Sequence, residues 1–202
     1  MNIDKAIRKQ KKSYKRFLLS MCFIFFMLPI ALIMYKRFYI FYIAYLIIVE
    51  CLILIAISIR ISKEALKFEC DGCKIKILLG ISNKKINISC DKVFFIHVED
   101  ITSNNYEKND FKIILIASSK FRSERMHRIS LNFFKKHPYA AYQYSIIKKI
   151  YPNYDFYYTL IKRGSLSKYV LLDTIYKSCV YAYFTEAAIE KIKFYRENSQ
   201  YY

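Results

Sequence analysis

The chain has 202 residues, a formal net charge of +18 and 55% hydrophobic residues. That length accommodates a membrane segment plus one domain of ordinary size, and the charge suits anionic lipid, nucleic acid or acidic protein surfaces. Three glycines in the whole chain exclude a glycine-rich phosphate loop, and a plain compositional bias toward lysine, isoleucine and tyrosine accounts for the charge more simply than any partner does.

The N-terminal segment, residues 1–16, is basic, with Lys5, Arg8, Lys9, Lys11, Lys12, Lys15 and Arg16. From Phe17 to Met34 no residue is charged. At about 1.5 Å per helical residue this run covers roughly 27 Å, enough for a hydrocarbon core of about 30 Å. Pro29, near its far end, is expected to kink or end the helix. A second apolar run, Phe38 to Ile59, carries the single charge Glu50 and follows after only Tyr35-Lys36-Arg37. The pair predicts an antiparallel transmembrane hairpin over residues 17–60. A secretory signal peptide fits less well, because the apolar stretch is long and a second span follows in place of a small-x-small cleavage site.

Orientation follows from Lys and Arg near the membrane ends. Seven cations precede the first helix, two occupy the hairpin tip, and Arg60, Lys63 and Lys67 follow the second. Both termini are therefore expected in the cytoplasm of a two-span cell-membrane protein, where the cysteines of the soluble part are free thiols or metal ligands rather than disulfides. Glu50 needs a reason, since a mid-membrane carboxylate costs about 2.5–3.5 kcal/mol on insertion scales. Either it contacts another membrane protein or a second copy, or it is protonated and bonded to a backbone carbonyl or to Ser20.

From Glu64 to Ser130 the pattern is that of strands. EALKFEC and CKIKILL flank Asp71-Gly72, a two-residue turn suited to a tight hairpin. Lys74 and Lys76 alternate with Ile75 and Ile77, one face wet and one buried. KINISC, VFFIHVEDI and FKIILIAS continue the series, with a loop over 102–110 and a basic loop carrying Lys120, Arg122, Arg125 and Arg128 before and within a short strand near MHRISL. Pro138 then opens a helix on which Tyr139, Tyr142, Ile146 and Ile150 recur at helical spacing.

The KFECDGCKIKILLG hairpin, the KKINISCDKVFFIHVE strand pair and the helix PYAAYQYSIIKKIY together resemble the bacterial membrane-anchored pleckstrin-homology-like domain proteins of the small two-helix hairpin type. The resemblance covers residues 61–151 and implies an antiparallel β-domain of about six strands closed by a helix, serving as a scaffold or binding module without catalysis. The chain departs from that family in having no tryptophan. Residues 152–202 read as a helical C-terminal extension, with Ser165 or Ser167 capping one helix and Thr185 the next. The expected fold class is thus an α+β membrane protein: transmembrane hairpin, PH-like β-domain, helical tail.

Among chemical motifs, Cys70-Asp71-Gly72-Cys73 is the sharpest. The two thiols are expected to face each other across the hairpin, as a bare turn or as half of a zinc knuckle completed by Cys90 and His97. A redox CxxC opens a helix, and none is expected there. Ser165 and Lys168 match S-x-x-K, but the companion elements of the penicillin-recognising enzymes are missing. No cofactor is expected, and no nucleic-acid motif accompanies the charge. The expected partners are membrane lipids and a membrane protein or a second copy, with Lys120, Arg122, Arg125 and Arg128 as a lipid or partner surface. The expected role is a non-enzymatic adaptor or accessory subunit at the inner leaflet; the alternative is a cysteine-based metal or redox sensor.

Overall fold

Asn2 opens the first helix, α1 (Ile3–Met34), where its side chain accepts the Lys5 amide hydrogen bond at 3.1 Å. The bond satisfies one of the N–H groups a helix start leaves free. The computed structural model describes residues 2–35, 39–80, 84–101, 110–121 and 123–199. Lys36 and Arg37 of the hairpin tip lie outside the described residues. α1 runs unbroken through the basic segment and past Pro29, so residues 3–16 are the first turns of a long helix rather than a separate terminus.

α2 (Ile40–Glu64) packs beside α1, and both are long and apolar enough to cross a bilayer. The partly or fully covered positions recur at helical spacing, Met21, Phe25, Leu28 and Leu32 on α1 and Leu46, Glu50, Ile53 and Ile57 on α2. These are the facing stripes. Away from them Phe23, Phe26, Ile47 and Leu52 are half or more exposed.

Only Ala65 separates α2 from β1 (Leu66–Asp71), which pairs antiparallel with β2 (Lys74–Leu79), itself paired antiparallel with β3 (Lys84–Ser89). On β2 the expected alternation holds: Ile75, Ile77 and Leu79 are buried while Lys74 and Lys76 are exposed. A short 3-10 turn, Cys90–Lys92, leads to a second sheet. In chain order this sheet uses β4 (Val93–Asp100), β5 (Phe111–Ala117), β6 (His127–Arg128), β7 (Tyr157–Ile161) and β8 (Tyr183–Phe184), arranged β6-β7-β5-β4-β8. Its neighbours are antiparallel except for the parallel pair β4 and β8.

Side chains of β4 and β5 alternate between two cores. Phe95, Ile114 and Ile116 pack with Phe133 of α3 (Leu131–Lys136) and with Ala140 and Ala141 of α4 (Pro138–Ile150). Ile96, Val98, Ile113 and Leu115 face the larger core, shared with the three-stranded sheet, α5 (Ser167–Ser178) and α6 (Glu186–Asn198). Ile3 and Ile7 of α1 are buried in that same core.

Two expectations change. The strands do not form a single series in chain order, because β1–β3 make a sheet of their own and β7 inserts between β6 and β5 in the other. Residues 152–202 are not a purely helical extension either, since they supply β7 and β8 as well as α5 and α6, so the sheet runs across the 151/152 boundary. The physical reason is the composition of Phe156-Tyr157-Tyr158-Thr159-Leu160-Ile161, aromatic and β-branched, which fits an open sheet edge better than a helix. Thr185 does cap α6, accepting from the Ala188 amide, whereas neither Ser165 nor Ser167 caps α5.

Candidate binding site at the helix–domain junction

Where the two long helices meet the domain lies a cavity of about 520 Å³. α1 supplies Ile7, Gln10, Lys11, Tyr14 and Lys15, which share one side of the helix at i, i+3, i+4, i+7 and i+8. The end of α2 adds Ile61 and Glu64, the base of the β1–β2 hairpin adds Leu66, Lys67 and Leu78, and Gly80 and Ser167 complete the wall. The frame is held by backbone bonds: Gly80 N–H donates to the Ala65 carbonyl at 2.9 Å, and Gly164 N–H to the Lys63 carbonyl at 3.0 Å. Gly164, at φ +113°, packs so closely on Leu66 that a Cβ would lie 2.4 Å from its side chain, so only glycine fits there.

The cavity is cationic. Lys11, Lys15 and Lys67 are exposed and, among the described residues, none of them forms an ion pair. The Glu64 carboxylate is matched by Arg60 at 2.8 Å. Next to Gly80 lie Arg163 and Arg125, and the Arg125 Nη2 donates to the Leu79 carbonyl at 3.1 Å. Burial first, and then the like charge of Arg163, lower the Arg125 pKa.

The residues expected from the sequence are dispersed. Arg125 turns inward as described, Arg128 pairs with Asp155 at 2.9 Å on the surface, Lys120 is exposed, and Arg122 lies outside the described residues. Lys120, Arg125 and Arg128, the described members, do not make one free basic patch. In the hairpin, the loop residues are Gly72 and Cys73, with Asp71 opposite Lys74 and Cys70 opposite Ile75. The thiols of Cys70 and Cys73 therefore do not oppose each other across the strands. Gly72, at φ +54°, takes up the left-handed turn.

Cys70 Sγ lies 3.2 Å from Ser178 Oγ, and buried Cys90 shares a hydrogen bond with buried Cys179. Burial pushes both buried thiols up, which keeps them protonated and poor nucleophiles. His97 is not near this group: its Nδ1 shares a 3.0 Å hydrogen bond with Thr185 Oγ1 and its ring lies against Tyr139. Among the described residues, no three His, Cys, Asp or Glu side chains converge on a metal position. Glu50 is partly covered on the face toward α1 and makes no hydrogen bond or ion pair among the described residues. Ser20 and Cys22 are exposed, off the α2-facing stripe.

Sequence reasoning missed a buried polar cluster on β4. Glu99 accepts from Lys112 Nζ at 2.6 Å and pairs with His137 Nδ1 at 2.9 Å, with His97 Nε2 at 3.9 Å. His97 and Glu99 are two apart on a strand and so share a face, which was the one available signal; His137 and Lys112 come from other elements. Burial lowers the His97 pKa below its ordinary value. Burial alone would raise that of Glu99, but the bonds from Lys112 and His137 outweigh it and hold the carboxyl low. The S-x-x-K lysine is likewise structural: Lys168, wholly buried, donates to Asp110 and to the Phe111 and Lys162 carbonyls.

Compared with protein-family models, with curated proteins and with solved structures, the chain matches none.

Proposed function

We propose that this chain is a membrane-anchored, cytoplasm-facing adaptor or accessory subunit whose domain binds a protein or lipid surface at the inner leaflet. One observation carries the reading. Among the described residues, α1 is fastened to the domain core at its start, through Ile3 and Ile7, and α2 at its end, where Ala65 links it to buried Leu66 of β1, while their apolar flanks stand uncovered beyond it. Uncovered apolar surface on this scale calls for lipid or a protein partner. The seven cations before Phe17 support a cytoplasmic position for the domain side. Glu50, partly covered on the stripe toward α1 and without a hydrogen bond or ion pair among the described residues, is the contact offered to another membrane protein or to a second copy. The pleckstrin-homology-like reading of residues 61–151 draws support from the antiparallel strands that precede α4; β7 and β8 stand outside that pattern.

Two measurements test this. Alkaline carbonate washing of membranes is expected to leave the chain in the pellet, and its release would remove the anchor. Mild-detergent purification with mass spectrometry is expected to recover a stoichiometric membrane protein, lost on Glu50→Leu. Recovery of the chain alone, as a monomer, would end the adaptor reading.

A further inference from the structure

The junction cavity sits at a definite depth if the apolar helices lie in the bilayer, the placement on which this inference rests. Lys15 is two residues before Phe17, where the uncharged apolar run begins, and Lys11 six before it. At about 1.5 Å per residue they stand roughly 3 and 9 Å outside the hydrocarbon edge. The headgroup layer on each side is about 5–8 Å deep. Arg60, whose guanidinium lies 5.9 Å from the Phe17 ring, marks the same level on α2, and Ile61 and Glu64 follow it into the cavity wall. The opening is therefore level with lipid phosphates.

Its chemistry is as specific as its depth. Three exposed lysines without ion pairs among the described residues converge from two different elements, α1 and β1. The cavity's one carboxylate, Glu64, is matched by Arg60, and Arg125 and Arg163 add positive charge beside Gly80. Ile7, Ile61, Leu66 and Leu78 give an apolar wall. A volume of about 520 Å³ is within the usual range for small-molecule sites, about 300–1,000 Å³. The charge signal for membrane insertion explains cations on α1 and at Lys67 alike, but not their convergence on one cavity.

We propose that this cavity binds the phosphate headgroup of an anionic membrane lipid, with Lys11, Lys15 and Lys67 as its cationic contacts and the acyl chains leaving along α1 and α2. The site differs from the Lys120–Arg128 loop and uses the joint between anchor and domain, so a bound lipid touches both.

The test is native mass spectrometry of the detergent-purified full chain titrated with phosphatidylglycerol, phosphatidylcholine or glycerol 3-phosphate. One saturable phosphatidylglycerol is expected, with phosphatidylcholine and glycerol 3-phosphate at least tenfold weaker. Lys11→Gln/Lys15→Gln/Lys67→Gln should weaken phosphatidylglycerol roughly fivefold per lysine, on the order of a hundredfold together. Lys9→Gln/Lys12→Gln/Arg16→Gln removes the same charge from α1 outside the cavity and should change binding less than about threefold. Equal losses in the two triple variants would mean diffuse attraction and overturn the site, as would equal binding of phosphatidylcholine. Glycerol 3-phosphate binding as tightly as the lipid would make it a soluble phosphate-ester site and overturn the lipid assignment. A chain that stays in carbonate-washed membranes yet shows no lipid preference refutes this site while leaving the adaptor reading intact.

Discussion

The helical hairpin and the domain are built from the same residue types and treat them in opposite ways. Ile75, Ile77 and Ile113 in the domain are wholly buried, whereas Ile40, Ile47 and Ile48 in α2 are more than half exposed. In the domain, apolar burial drives the fold and, among the described residues, buried polar side chains find partners: Lys168 has three acceptors, and Glu99 has Lys112 and His137. In the hairpin the helices touch along one narrow stripe, and Glu50 on that stripe has no partner among the described residues. An apolar side chain is satisfied by any apolar surrounding, supplied by the chain itself or by its solvent. A buried charge is satisfied only by a specific partner. The contrast therefore places each region's vulnerability in different residues.

The largest effect should come from breaking the most buried charge in the domain. Lys168→Met leaves Asp110 and two carbonyls without their donor and is expected to cost about 3–5 kcal/mol. Hydrogen exchange on the full chain should show β5 and α5 losing protection while the middle of α1 keeps it. Next comes the joint between the regions. Ile3→Ala removes a side chain that is 1% exposed and should destabilise the domain by about 2 kcal/mol, near the low end for buried Ile→Ala because a helix end can settle into the gap. Thermal unfolding of the domain in detergent reads this directly.

Glu99→Gln should cost about 1–2 kcal/mol, since the Lys112 and His137 bonds lose their charge. The same cluster sets a pH dependence. Because burial lowers the His97 pKa from 6.5, the unfolded chain takes up a proton below that pH before the folded one does, and stability falls on acidification. Glu99, held below 4.5 by Lys112 and His137 against the opposing effect of burial, contributes fully above 4.5, and its contribution is lost as pH falls through its lower folded value. Both act in one direction. The domain's melting temperature should fall with acid, beginning just below pH 6.5, and His97→Gln should flatten that first part. The smallest effect belongs to the free flank of the hairpin: Ile47→Ala, at a site 55% exposed, should change stability by no more than about 0.5 kcal/mol. A loss several times larger would show that this flank is covered by a tight protein contact.

What could be read from the chain follows how local each signal is. Uninterrupted apolar runs of helix length, the Ile75/Ile77 alternation, the glycine turn at Gly72, the proline start of α4 and the Thr185 cap were all legible, because each depends on neighbours a few residues away. β7 was not, although its residues favour a strand. A five-residue strand is settled by whether an edge is open to receive it, and the edge of β5 lies some forty residues upstream. The turn register that moved Cys73 into the loop was likewise beyond the sequence, since a one-residue slip exchanges faces without changing composition.

The amino-acid sequence by itself determined that the chain has two spans' worth of apolar helix, a β-rich basic domain behind them and one acid in the apolar zone. Tertiary structure alone decided the site. Lys11 and Lys15 became cavity residues only because Ile3 and Ile7 anchor α1 in the domain core, and Lys67 joined them because Ala65 is the whole link between α2 and β1. It also gave Glu99 its histidine and lysine and carried His97 away from the cysteines. Charge and periodicity are carried along the chain, but convergence is a property of packing, fixed by which buried faces find each other.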